Sequence, residues 1–188
     1  VATTCAPGSY VSKAPTATSD RECTVCDKGT FSSAPNEATC TAHKVCAAGE
    51  FASFAGSTFV DRACSPCAAG TSQSGTNQPS CAPCAAGEFT NQDGATECEG
   101  CTANTNFAAA TGSRACLAVR NCAPGTHVSQ NGNASTDRTC AACDGTKQFS
   151  TGVNSAQCET CAAGSYRASA TSCIACPPGH QCNGATKT

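Results

Sequence analysis

Fourteen of the twenty cysteines in this 188-residue chain form seven CxxC pairs: Cys23/Cys26, Cys64/Cys67, Cys81/Cys84, Cys98/Cys101, Cys140/Cys143, Cys158/Cys161 and Cys173/Cys176. A CxxC pair grips zinc, cycles as a redox dithiol, or ends one disulfide loop and begins the next. Zinc spacing is approached at Cys64, Cys67, Cys81 and Cys84, where thirteen residues separate two pairs. The pairs are chained, however, so each would have to choose between neighbours. The singly placed Cys5, Cys40, Cys46, Cys116, Cys122 and Cys182 complete no four-ligand set, and His43, His127 and His180 share no spacing. Redox catalysis needs one CxxC at a helix start, not seven in series. A disulfide chain uses every cysteine: the first of each CxxC closes the preceding loop and the second opens the next.

The elements that hold these cysteines must be unusual, because core-forming residues are scarce. The chain has one Leu (Leu117), one Ile (Ile174), no Met and no Trp. Covalent links are expected to replace the interior that a domain of this length would otherwise bury. Twenty cysteines in 188 residues mark an oxidising compartment, so the chain is expected to be secreted, extracellular or at the cell surface. The net charge of −2 offers no electrostatic footprint for nucleic acid or acidic lipid. No run approaches the length of a membrane-spanning helix. The chain opens at Val1 without a charged and apolar leader, and reads as a mature segment or a piece of something longer. No nucleophile stands with a base and no phosphate loop is present, so neither enzymatic activity, a cofactor nor a metal is expected.

The gaps repeat. Cys5–Cys23, Cys46–Cys64 and Cys122–Cys140 enclose seventeen residues. The short loops Cys26–Cys40, Cys67–Cys81, Cys84–Cys98, Cys101–Cys116, Cys143–Cys158 and Cys161–Cys173 enclose eleven to fourteen. The final Cys176 and Cys182 either close on each other or leave Cys182 a partner beyond Thr188. Three residues after most opening cysteines stands a glycine (Gly8, Gly29, Gly49, Gly70, Gly87, Gly125, Gly164, Gly179), which reads as a turn requiring positive φ. Two residues further comes a ring in most loops: Tyr10, Phe31, Phe51, Phe89, His127 and Tyr166, with Phe107 and Phe149 one later where the glycine is missing. These rings are either miniature cores that each cover a disulfide or an aromatic ligand platform.

The expected fold class is therefore small and disulfide-rich, mostly irregular with short β-hairpins and no large hydrophobic core. About ten tandem loops, each touching its neighbours, imply an elongated rod. Closing a 15-residue loop removes about 3 kcal/mol of unfolded-state entropy, so ten closures can stand in for a core. Three repeats are delimited: 5–45 (a long and a short loop), 46–121 (a long and three short loops) and 122–188 (a long loop and short loops, continuing beyond the segment).

The long loops end in "TSDREC", "TFVDRAC" and "NASTDRTC", the short loops open with "CDKGTF", "CAAGEF" and "CAAGSY", and "CTAHKVC" and "CLAVRNC" bridge the repeats. In these motifs the chain resembles the cysteine-rich repeats of tumour necrosis factor receptors. The tandem short loops from Cys67 to Cys116 look more like the ephrin-receptor-like repeats of large surface or appendage proteins in algae and other protists. Both resemblances imply an extracellular protein with cysteines paired inside each loop.

Two features invite a functional reading. The pairs Asp20–Arg21, Asp61–Arg62 and Asp137–Arg138 could form a ligand site, but a carboxylate just before a cysteine more often accepts backbone N–H bonds, and that structural role is expected. Asn133, in "NAS", is the one N-glycosylation sequon, and the many Ser and Thr residues could carry O-linked sugars. The expected function is structural: a rod-like segment of an extracellular fibre, surface coat or ciliary hair, contacting itself or other fibre and wall proteins. The alternative is a receptor ectodomain of the tumour necrosis factor receptor type that binds a protein ligand.

Overall fold

The computed structural model describes residues 3–185. Among them there is no helix, and the regular structure is nine separate two-stranded antiparallel sheets. Two hairpin sizes recur. Each long loop folds a five-residue strand onto a four-residue one, as in Ser9–Lys13 with Glu22–Val25, Glu50–Phe54 with Ala63–Pro66, and Thr126–Gln130 with Thr139–Ala142. The closing cysteine lies inside the second strand, opposite Val11, Ala52 or Val128, and the register shifts just after each pair. Such a bulge bends the strand and releases the residues that follow into an excursion before the Asp-Arg pair. The fourteen- and fifteen-residue separations give only two-residue strands, such as Thr30–Phe31 with Thr41–Ala42, and their closing cysteine falls before the second strand.

The loop Cys161–Cys173 departs from its length class. At a separation of twelve it is shorter than the other short loops, yet it forms the five-and-four hairpin, Ser165–Ser169 with Ser172–Ala175. Its chain turns back through Ala170 and Thr171 alone, so it keeps the long-loop hairpin and sheds the excursion.

Ten disulfides close the chain in sequential order: Cys5–Cys23, Cys26–Cys40, Cys46–Cys64, Cys67–Cys81, Cys84–Cys98, Cys101–Cys116, Cys122–Cys140, Cys143–Cys158, Cys161–Cys173 and Cys176–Cys182. Their Cα separations run from 5.4 to 5.8 Å, inside the range a relaxed bridge adopts. These bonds are the core. The buried apolar residues are eight opening cysteines (Cys5, Cys26, Cys46, Cys67, Cys84, Cys122, Cys143, Cys161) and Ala108, whereas the closing cysteines remain partly exposed.

Eight of the ten loops begin with the same four-residue turn. In Ala6-Pro7-Gly8-Ser9, Gly8 has φ 91° and the Ser9 N–H donates to the Ala6 carbonyl at 3.1 Å, the geometry of a type II turn. Two loops reach the same end without glycine. Asn104 occupies the position with φ 63°. At the other, the Asp144 carboxylate accepts from the N–H groups of Thr146, Lys147 and Gln148 at 2.9 to 3.1 Å.

The chain forms two compact units, one of Val1–Cys84 with Thr90–Cys98 and one of Ala85–Phe89 with Glu99–Thr188. In each, the turn glycines tie successive loops together. In the first unit the Gly8 N–H donates to Ser32 O at 2.8 Å and the Ser32 N–H donates to Thr58 O at 2.9 Å; Gly49, Gln73 and Ala95 repeat the relay. In the second, Gly87, Ala108 and Ala134, then Gly125, Ser150 and Ala170, do the same. At three of these four relay positions the residue is small and buried, Ser32, Ala108 and Ser150, whereas Gln73 is half-buried.

Candidate functional site

The three Asp-Arg pairs hold the chain just before each long loop. Asp20 accepts from the Thr3 N–H at 2.9 Å, Asp61 from the Lys44 N–H at 2.8 Å and Asp137 from the Arg120 N–H at 2.8 Å, each two residues upstream of an opening cysteine. The paired arginine donates to the carbonyl of the same residue: Arg21 to Thr3, Arg62 to Lys44 and Arg138 to Arg120. These bonds hold all three carboxyls below their ordinary pKa. The first causes are the Thr3 hydroxyl for Asp20, the Lys44 N–H for Asp61 and the Arg120 side chain for Asp137. The pairs are therefore backbone clamps.

Asparagines absent from the sequence expectations complete the first two of these clamps, whereas Arg138 of the third donates to the Asn104 carbonyl at 3.3 Å. Asn36, Asn77 and Asn154 each stand four residues before a closing cysteine with φ 63°, 56° and 59°. Arg21 donates to Asn36 Oδ1, and Arg62 donates to Asn77 Oδ1 at 2.6 Å. Spacing from the closing cysteine was the available signal, since Gly94 and Gly112 fill the same place in two other short loops, also with positive φ.

The ring positions are half-buried, and none of the rings is fully enclosed. At two of these positions a polar side chain reaches a sulfur of the following loop. His127, in the loop Cys122–Cys140, places Nδ1 3.3 Å from Cys158 Sγ, and Ser72, in the loop Cys67–Cys81, places its hydroxyl 3.4 Å from Cys98 Sγ. At these two positions the contact acts between loops. His127, Cys143 and Cys158 bring three metal-type ligand atoms within 4.8 Å of one another, but both sulfurs lie in one disulfide and offer no thiolate.

The excursion tips of the three long loops share one backbone design. Thr16, Ser57 and Asn133 each donate N–H to the residue three further on, Ser19, Val60 and Thr136, at 2.8 to 3.0 Å. Each also accepts at its side-chain oxygen from the N–H groups two and three residues on. With the turn fixed by one capping atom, the other tip residues are free to vary. The first loop has Lys13, Thr18 and Ser19, and the third has Gln130, Ser135 and Thr136. The second has Phe54, Phe59 and Val60, exposed by 46%, 55% and 44%. An exposed cluster of large apolar side chains on a chain with so few of them is informative.

Beside that tip, a groove of about 540 Å3 runs between the first short loop and the second long loop, lined by Lys28, His43, Gly56, Thr58 and Arg62 among others. His43 forms its floor, stacked on Phe31 with ring centroids 5.4 Å apart, its Nδ1 3.2 Å from Asp61. A Cβ on Gly56 would meet the His43 ring at 2.6 Å, so only glycine lets the tip lie this close. Lys28 and Arg62 take part in no ion pair among the described residues.

No family model matches the chain and no curated protein matches it. Among solved structures, a chain of the mouse RANKL-OPG complex is similar at 18% identity and a TM-score of 0.31, covering 86% of this chain and 90% of that one. A chain of the human RANKL/OPG complex matches at 18% identity and a TM-score of 0.31, with 76% and 91% covered. A TM-score of 0.31 carries no functional inference. The disulfide loops themselves define this protein as an array of cysteine-rich repeats built from short antiparallel hairpins without a large core.

Proposed function

We propose that the chain is an extracellular, non-enzymatic protein-interaction segment, in which disulfide-braced loops present a contact patch at the tip of the second long loop. The carrying observation is the substitution, within one conserved turn design, of Phe54, Phe59 and Val60 for the polar residues of the other two tips. Three exposed apolar side chains on the tip whose Gly56, Ser57 and Thr58 line a groove supply the anchor that protein contacts use, with Lys28 in the groove as a polar neighbour. Ten disulfides support an oxidising location. No helix of the described residues is long and apolar enough to cross a membrane. A receptor-type ectodomain binding a protein ligand is the form of this reading that the patch favours.

A second reading, a structural segment of an extracellular fibre, surface coat or ciliary hair that contacts itself or other wall proteins, draws on a different observation. The glycine-to-loop backbone relay fixes successive loops to one another within each unit, which suits a segment under tension.

One experiment separates them. The secreted chain and a variant carrying Phe54→Lys, Phe59→Thr and Val60→Ser, the residues of the first tip, are compared by light scattering at rising concentration and by binding to isolated cell-surface proteins. The contact-patch reading expects a monomer whose binding weakens by at least about tenfold in the variant. Concentration-dependent polymers that the variant leaves intact would favour the fibre.

A further inference from the structure

The third long-loop tip is built to be modified where the second is built to be bare. Asn133 opens the sequence Asn-Ala-Ser, is exposed, and caps its turn through Oδ1 alone, which accepts from the Ser135 N–H at 2.8 Å, the Ser135 hydroxyl at 3.0 Å and the Thr136 N–H at 2.8 Å. Its Nδ2 makes no hydrogen bond with the described residues. Thr16 and Ser57 do the same capping with a hydroxyl, so the turn requires an oxygen and has no use for the amide nitrogen. An asparagine here adds only one thing to the cap, a free nitrogen pointing away from the turn, two residues before the serine hydroxyl that sequon recognition requires.

We infer that Asn133 carries an N-linked oligosaccharide at this tip, and that the equivalent capping positions Thr16 and Ser57 carry none of this type. In the transfer, Nδ2 forms a bond to the anomeric carbon of a lipid-pyrophosphate oligosaccharide. The bond from that carbon to the phosphate oxygen breaks, the lipid pyrophosphate leaves with the electron pair, and the amide loses one proton. Oδ1 keeps its lone pairs, so the completed glycan leaves the turn bonds in place. A branched polar sugar would cover the face of the third tip that the second tip exposes as Phe59 and Val60. The glycan thereby closes the third tip to protein contact and leaves the apolar second tip bare.

The test uses the full chain secreted from a eukaryotic cell that performs N-glycosylation. Intact mass and peptide mapping after enzymatic deglycosylation, which converts a glycosylated Asn to Asp, should find one N-glycan, at Asn133. Ser135→Ala should abolish it. Asn133→Ser should abolish it too while leaving amide-exchange protection at Thr136 unchanged, because the hydroxyl repeats the Ser57 cap, whereas Asn133→Ala should lose both glycan and protection. Secretion of folded wild-type chain with Asn133 unmodified would overturn the assignment. Loss of protection in Asn133→Ser equal to that in Asn133→Ala would overturn the argument that oxygen alone builds the turn.

Discussion

Asn36 and Cys5 bind each other twice: the Asn36 N–H donates to the Cys5 carbonyl at 2.9 Å, and the Cys5 N–H donates to Asn36 Oδ1 at 3.0 Å. Asn77 makes the same pair of bonds with Cys46, and Asn154 with Cys122. A short loop thus reaches back over 31 or 32 residues to satisfy both backbone groups of the buried cysteine that opens the long loop. Left-handed φ places the N–H and the side-chain oxygen on the same side, and asparagine enters that region at low cost.

Replacing Asn36 with Ala should remove the acceptor of two bonds, from the Cys5 N–H and from Arg21, and strain the backbone, together about 3 to 4 kcal/mol. Asn36→Gly should cost about 2 kcal/mol, because it keeps φ and loses only the side-chain acceptor. Since each loop is stabilised mainly by its neighbours, the effect should appear locally. Amide exchange at Cys5 should accelerate more in the Ala variant than in the Gly variant, and equal acceleration would show that φ plays no part.

Two turn glycines with similar positive φ, 92° at Gly29 and 83° at Gly49, should respond differently to alanine. At Gly29 a Cβ meets nothing within 4 Å, so Gly29→Ala should cost only the left-handed strain of about 1 to 2 kcal/mol. At Gly49 a Cβ would lie 2.2 Å from the Gly94 carbonyl oxygen, backbone that has no rotamer to yield. Gly49→Ala should therefore disrupt the first unit, seen as mispaired disulfides on oxidative refolding and a sharp fall in secreted yield.

The Asp144 turn should respond to acid. Backbone N–H bonds, led by that from Lys147, lower its pKa from 3.8 to about 2. A folded pKa below the unfolded one means stability that is present above pH 3.8 and lost as pH falls through about 2. A carboxyl titration followed by NMR should give a value near 2, with the Lys147 amide shifting in step. A midpoint near 3.8 would show that the cap does not form in solution.

Metal and reductant should act oppositely. A chelator should leave circular dichroism and hydrodynamic radius unchanged, because Cys143 and Cys158 spend their sulfurs on each other and leave His127 without thiolate partners. A strong reductant should expand the chain by removing the bonds that form its core. Stoichiometric zinc in purified oxidised protein would contradict this account.

The sequence by itself determined what repeats locally. Cysteine spacing and the near absence of Leu, Ile, Met and Trp specified tandem disulfide loops with short hairpins and no large core. The glycine three residues after most opening cysteines specified its turn, because φ near 90° excludes most side chains. The carboxylates of the Asp-Arg pairs were legible as acceptors of backbone N–H bonds, but their clamp onto Thr3, Lys44 and Arg120, seventeen residues upstream, and the part of the arginines in it were not.

Only the tertiary structure decided what each loop does to the next. The partners of Asn36, Asn77 and Asn154 lie more than thirty residues upstream, and the sulfurs beside His127 and Ser72 lie in the following loop. Such pairings depend on how hairpins stack, which the spacing within one loop does not encode. Phe54, Phe59 and Val60 carry no sequence signal that sets them apart from the chain's other large apolar residues. Their position became informative once the backbone showed that Thr16, Ser57 and Asn133 cap one shared turn, with the remaining tip residues turned outward to solvent. A chain whose core is its own disulfides leaves few apolar side chains to be buried, so where those few are exposed is decided by fold geometry and not by composition.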